Sequence, residues 1–419
     1  MLNKNILTGA VFLAAGCFLG FPNTPAMADD SLDNLFPLSG FYADMRYRYE
    51  HVEQDNLTED ADASTLRAKI GYKTDQAHDF QGLIEFEGVG NVGDEDYNNG
   101  VNGKTSLPVI ADPDGVEMNQ LWLSYAGIPD TTIKIGRQGI NIDNQRFVGT
   151  VGWRQNDQTF DSVILSNSSI PNLDLLYGHV RNVNRIFGND HPLGDLDTES
   201  HIAHAAYKAT DWLTITGYGY WLDIDLAAAL SSRTYGLRLN GSTPVNQDWT
   251  FFYEAEAAEQ DDHGNNPANY DASYFHVSPG LKWNNWVFQA GFESLEGNGT
   301  NAFQTPLATL HKFNGWADRF LSTPVNGLED MYGKVSYKFN NIHPRIDSTA
   351  FTGVYHDFES ENGSTDYGDE WDLQLTRPIN LDNQGWSEGA SVTLKYADYD
   401  ADNFSTDTSK WWVVFAVKF

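Results

Sequence analysis

Residues 41–50 run Phe41-Tyr42-Ala43-Asp44-Met45-Arg46-Tyr47-Arg48-Tyr49-Glu50. Phe41, Ala43, Met45, Tyr47 and Tyr49 alternate with Tyr42, Asp44, Arg46, Arg48 and Glu50. A β-strand sends successive side chains to opposite sides, so one face of this segment is apolar and the other charged. Such a strand suits a wall between a wet lumen and lipid. In a soluble sandwich the charged face would meet bulk water, so one strand leaves the choice open.

The pattern recurs along the chain. Leu66, Ala68, Ile70 and Tyr72 oppose Arg67, Lys69 and Lys73; Trp249, Phe251, Tyr253 and Ala255 oppose Thr250, Glu254 and Glu256. Trp286, Phe288, Ala290 and Phe292 oppose Gln289 and Glu293; Trp371, Leu373 and Leu375 oppose Glu370, Asp372 and Gln374; Val392, Leu394 and Tyr396 oppose Thr393 and Lys395. The spacing predicts about 18 strands, an even number within the range of bacterial barrels. The gaps between them alternate in length. Short ones at 127–130, 167–172, 210–211, 284–285 and 340–344 are rich in turn formers. Long ones fall near 91–115, 138–157, 184–199, 260–271, 296–327 and 398–409. Short turns on one side and long loops on the other are the asymmetry of an outer-membrane barrel. The expected fold is therefore an all-β, antiparallel, up-and-down transmembrane β-barrel.

The ends agree. Residues 1–28 read as a cleaved secretory signal: Lys4, an apolar stretch from Ile6 to Phe21, and Ala26-Met27-Ala28 before Asp29-Asp30. The sole cysteine, Cys17, lies inside it, and Ala14 fits poorly with a lipid-attachment box around that cysteine. Residues 29–39 form a short periplasmic segment, too short for a folded plug, and 40–419 form the barrel. The chain ends on Trp411, Val413, Phe415, Val417 and Phe419 sharing one face. An aromatic residue closing an alternating strand matches the signal read by the barrel assembly machinery, making that machinery an expected partner through Phe419. Outer-membrane lipid and lipopolysaccharide are the expected surroundings, in a Gram-negative envelope. A formal net charge of −32 argues against nucleic-acid binding, which needs clustered Lys and Arg.

The lumen face carries Arg46, Arg48, Arg67, Lys69, Arg238, Lys282, Lys334 and Lys395 beside Asp44, Glu85, Glu87, Glu254, Glu256, Glu293, Glu370 and Asp372. These charges either brace the wall as ion pairs or form a ladder selecting anionic or polar solutes. One segment breaks the strand rhythm: Gly136-Arg137-Gln138-Gly139-Ile140, Gln145-Arg146-Phe147-Val148-Gly149, Gly152-Trp153-Arg154-Gln155 and Thr159-Phe160-Asp161-Ser162-Val163. This progression resembles that of the bacterial alginate-export porin family. Blocks at 302–307 with His311, Gly315-Trp316-Ala317-Asp318, Gly327-Leu328-Glu329-Asp330, and Tyr355-His356-Asp357-Phe358 followed by Tyr367-Gly368 resemble the family too. The resemblance implies an 18-stranded barrel acting as a monomer, which passes an anionic uronate polysaccharide through an arginine-lined constriction. It implies pore-cation roles for Arg137, Arg146 and Arg154, with Asp161 as an ion-pair partner. The departure is the carboxylate load, especially Glu254, Glu256, Glu370 and Asp372, which would repel a polyanion and leaves a smaller oligosaccharide, an organic acid or a general solute as an equal alternative.

Three other classes compete. Catalysis on the wall finds no support: no G-x-S-x-G element occurs, and His201 and His204 fall on opposite faces of a strand. No cofactor is expected, although the acidic runs 93–96, 194–197 and 398–402 offer oxygen ligands for Ca2+. Without the twelve-residue loop spacing of a calcium hand they read more simply as hydrated loops. A loop as long as 296–327 could also close the lumen and leave a structural or adhesive barrel.

Overall fold

The structure, a computed structural model, describes residues 40–380 and 389–419. The expected signal at 1–28 and the segment at 29–39 lie outside the described residues. The strands are β1 (Phe41–Gln54), β2 (Ala61–Lys73), β3 (Phe80–Asn91), β4 (Gly115–Ile128), β5 (Thr131–Gln138), β6 (Thr159–Ile170), β7 (Leu173–Asn184), β8 (Asp195–Thr210) and β9 (Leu213–Leu222). They continue with β10 (Ser232–Pro244), β11 (Trp249–Asp262), β12 (Asp271–Trp283), β13 (Trp286–Leu295), β14 (Leu328–Lys338), β15 (Ala350–Glu359), β16 (Asp366–Ile379), β17 (Gly389–Ala401) and β18 (Thr408–Lys418). Each pairs antiparallel with its sequence neighbours. β1 also pairs with β18, from Asp44 opposite Lys418 to Gln54 opposite Thr408, which closes an 18-stranded cylinder. Closure leaves no edge strand, as lipid requires of a backbone that must satisfy itself.

Period two sorts the two faces as expected. Met331 is 62 % exposed and Trp371 54 %, while Asp330 and Asp372 beside them are buried toward the lumen. Tilted aromatic pairs ring the outer face at the short-turn end: Phe41–Tyr72 at 4.5 Å, Phe80–Tyr125 at 4.7 Å and Trp286–Tyr337 at 4.4 Å. Tyr49–Trp411 and Tyr355–Trp371 ring the other end. Two aromatic girdles around an apolar band mark both interfaces of a bilayer.

Two loops are shorter than the sequence suggests. β8 already starts at Asp195, and β17 runs to Ala401. Their acids mislead: Asp398 and Asp400 alternate with buried Ala397 and Tyr399, so this is strand carried past the lipid into water. One turn is longer: 339–349 separates β14 from β15.

Candidate functional site

The upper lumen is filled by its own loops. The β5–β6 loop (139–158) and the β13–β14 loop (296–327) turn inward because their apolar residues need cover. Ile140, Ile142, Phe147 and Val148 of the first join Phe303, Leu307, Ala317 and Phe320 of the second in one buried cluster with Tyr218, Tyr274, Phe358, Tyr399 and Trp412 of the wall. Phe147 alone meets Tyr218 at 5.2 Å, Tyr274 at 5.6 Å and Phe303 at 6.1 Å. Burying such a side chain contributes about 2–3 kcal/mol. The loops also clasp each other: Gly149 N–H donates to Leu307 O at 2.9 Å, and Thr309 N–H to Gln145 O at 3.1 Å. The β3–β4 loop (92–114) follows, with Tyr97 and Ile110 buried against Val52, Ala61 and Ala63.

The expected pore cations mostly fasten these loops. Arg154 donates to Glu50 of β1 at 3.2 Å and to Asp318 of the β13–β14 loop at 3.1 Å. Arg146 reaches Glu293 of β13 at 2.8 Å and Asn314 at 3.1 Å. Arg48 pairs with Asp112, and lies 3.6 Å from Glu50. Lys69 pairs with Asp157 and with Glu87 at 3.1 Å, Arg67 with Asp44, and Arg238 with Glu254 and with Asp143 at 3.3 Å. Arg46 has no carboxylate within ion-pair distance among the described residues; it donates to Gln155 Oε1 at 2.9 Å, Gly152 O at 2.8 Å and Arg154 O. Lys395 is buried in a cage of Trp316, Trp153 and Trp412, with its Nζ at 3.6, 4.2 and 5.4 Å from their ring centres. It is also hydrogen-bonded to His311 Nε2, whose ring stacks on Trp153 at 4.5 Å.

Arg137 and Asp161 are brought together, but on the other side of the wall. Arg137 Nε and Nη2 donate to the two Asp161 oxygens at 2.8 and 3.0 Å. Both residues fall on the face of Leu121, Ile135 and Val163, which point outward. Arg137, Arg146 and Arg154 therefore occupy three separate places: one outside the barrel and two at different loop anchors within it.

The lower lumen differs. Lys73 (β2), Lys134 (β5), Lys282 (β12), and Lys334 and Lys338 (β14) share the lumen-facing parity of their strands. None of the five makes an ion pair with a carboxylate among the described residues, and neither does Lys312 on the β13–β14 loop, which is exposed and donates to Asn144 O at 3.2 Å. Six lysines thus stand without an ion-paired carboxylate among the described residues, in a chain of strong overall acidity. The Lys134 ammonium sits over the Trp122 ring at 4.6 Å. A cavity of about 420 Å3 opens beside this zone between Asn240, Phe252, Glu254, Ser278 and Gln289. Sequence reasoning named Lys282 and Lys334 but passed over Lys134, Lys312 and Lys338; strand parity was the available signal for Lys134 and Lys338, and nothing periodic marks Lys312.

Groups able to share a cation, among the described residues, are Glu254–Glu256–His276, His51–Glu53–Asp60 and His179–Glu199–His201. The acidic runs at 93–96, 194–197 and 398–402 are not among them.

The profile of a family described as "Alginate export" matches residues 39–285. Among solved structures, the chain is similar to OccAB2 of Acinetobacter baumannii, at 16% identity over 91% of this chain and 98% of that one, with a TM-score of 0.70. It is similar to OccK5 (OpdH) of Pseudomonas aeruginosa, at 12% identity over 90% and 97%, TM-score 0.66. It is also similar to OpdK of Pseudomonas aeruginosa solved with vanillate, at 14% identity over 92% and 99%, TM-score 0.67. No curated protein matches the chain.

Proposed function

The chain belongs to the alginate-export family of outer-membrane barrels, and on that footing we propose that it is a passive porin for small anionic solutes, carboxylates above all. The observation that carries this reading is the set of lysines without an ion-paired carboxylate among the described residues: Lys73, Lys134, Lys282, Lys334 and Lys338 on the lumen side of the wall, and Lys312 on the β13–β14 loop. Lumen rings of cations favour anions, and low-dielectric walls strengthen the preference. Arg48, Arg67, Arg146, Arg154 and Arg238, by contrast, pair with wall and loop carboxylates, while Arg46 is taken up by Gln155 and loop carbonyls. A solute that fits between the infolded loops and the wall is small, so an organic acid or a short uronate suits the lumen better than a polymer. A barrel of the same fold holds vanillate, itself a carboxylate. Because the cylinder closes within one chain, a monomer suffices as the channel.

Liposome swelling tests the proposal. Proteoliposomes should admit small carboxylates faster than neutral sugars of the same size. Replacing Lys134, Lys312 and Lys334 together with Gln should erase most of that advantage while leaving sugar entry intact. Equal rates for both solute classes in the unaltered protein would refute the anion preference. Because loops fill the upper lumen, a closed structural barrel is the second reading, and it predicts no swelling with any solute.

A further inference from the structure

On the outer face of the barrel, two histidines stand directly opposite each other. His179 of β7 is in register with His201 of β8, and their rings lie parallel at 4.9 Å. Glu199 precedes His201 by two residues, so period two puts it on the same face. Its Oε1 lies 2.7 Å from His179 Nε2, and its Oε2 accepts from Arg181 Nη1 at 2.6 Å. The Tyr177 hydroxyl lies 2.8 Å from His201 Nδ1. One ligand atom from each of His179, Glu199 and His201 falls within 4.8 Å of the other two.

We propose that His179, His201 and Glu199 form a binding site for a divalent transition-metal ion of the zinc class, on the outer surface near the long-loop end of β7 and β8. Two imidazoles and one carboxylate are the donor set that zinc accepts at three positions, leaving a fourth open. Imidazole nitrogen selects zinc, nickel and copper over calcium and magnesium. Tyr177 engages His201 at Nδ1, which leaves Nε2 for the ion; a hydrogen bond on the other ring nitrogen orients a ligating histidine. Arg181 engages only one carboxylate oxygen and so leaves Oε1 available. His179 Nε2 and Glu199 Oε1 need to part by about half an ångström to sit around bonds of roughly 2.0–2.2 Å. Both side chains are partly exposed, so that movement meets little packing.

The other two clusters suit such an ion less well. Glu254 already binds Arg238, and Glu254–Glu256–His276 is packed inside the lumen. The His51 group has a single imidazole, tied through Nδ1 to Asp62 at 2.8 Å.

Calorimetric titration of the full-length barrel in detergent, with Zn2+ and separately with Ca2+, tests the site. The expected result is one Zn2+ equivalent bound with micromolar affinity and no comparable Ca2+ binding. The double variant His179→Ala/His201→Ala should lose that equivalent, Glu199→Gln should weaken it at least tenfold, and His51→Ala should leave it unchanged. Heat-modifiable gel mobility verifies barrel folding, and His201→Gln, which keeps a hydrogen-bonding side chain beside Tyr177, serves if the double variant does not assemble. Zn2+ binding that survives loss of both imidazoles, Ca2+ binding of equal strength, or no Zn2+ binding below millimolar concentration would each overturn the proposal.

Discussion

Replacing Arg154 with Ala should release the infolded loops without unfolding the barrel. The guanidinium is buried and bridges Glu50 on β1 at 3.2 Å and Asp318 in the β13–β14 loop at 3.1 Å. Removing one partner of a buried ion pair costs about 3–5 kcal/mol, because the stranded charge stays desolvated. Here both stranded carboxylates keep company: Glu50 retains Arg48 at 3.6 Å, and Asp318 retains Lys410 at 3.2 Å and His311 at 2.7 Å. The lower end, about 3 kcal/mol, is therefore expected. That corresponds to roughly a hundredfold shift toward the undocked loops. The strand ladder does not involve the Arg154 side chain, so gel mobility should show an intact barrel. Single-channel recordings should show larger, noisier steps, and protease should cut within 139–158 and 296–327 far faster. Arg154→Lys keeps the charge but not the fork and should fall between. Conductance and protease resistance unchanged in Arg154→Ala would refute the claim that this arginine pins the loops.

Gly315→Ala should loosen the same loops by another route. Gly315 has φ +83°, and a Cβ there would lie 2.2 Å from Glu370 Oε2; a strain of about 2 kcal/mol should appear as faster loop proteolysis. Acidification should loosen them too. Burial, reinforced by Lys395 and Arg154, outweighs the pull of Asp318 and holds the His311 imidazole down at about 3. A group neutral when docked but protonated when released near its ordinary value stabilises docking fully above about pH 6.5. That contribution is lost progressively as pH falls from there toward 3, so protease cleavage of the loops should accelerate over this window in the unaltered protein and much less in His311→Gln.

Strand parity carried most of the fold into view before any coordinates. Alternation in 41–50 and its repeats placed the faces, and unequal gaps placed the two ends of the barrel. Acids at strand ends were harder: Asp195, Asp398 and Asp400 read as loop, yet they sit on strands standing clear of the lipid, where a carboxylate costs nothing. Arg137 was legible in principle. It continues the parity of Ile133 and Ile135, which marks it as outward, but its position beside an irregular segment drew it into the loop. What no local pattern could disclose is which loops turn inward, since Phe147, Phe303 and Phe320 find cover only from wall aromatics far away in sequence. The same distance hides the partners of Arg146 and Arg154, which come from β13, from β1 and from a second loop. The lysines without an ion pair among the described residues became visible only by elimination, once the arginine pairs were known.

The central claim is that uncompensated lumen lysines make this acidic chain an anion-preferring pore. The reversal potential across a planar bilayer holding the purified barrel, under a tenfold KCl gradient, tests it most directly. The account predicts a sign corresponding to chloride moving more readily than potassium, shifting toward zero when Lys134, Lys312 and Lys334 become Gln. A potential of the potassium-selective sign in the unaltered protein would contradict it.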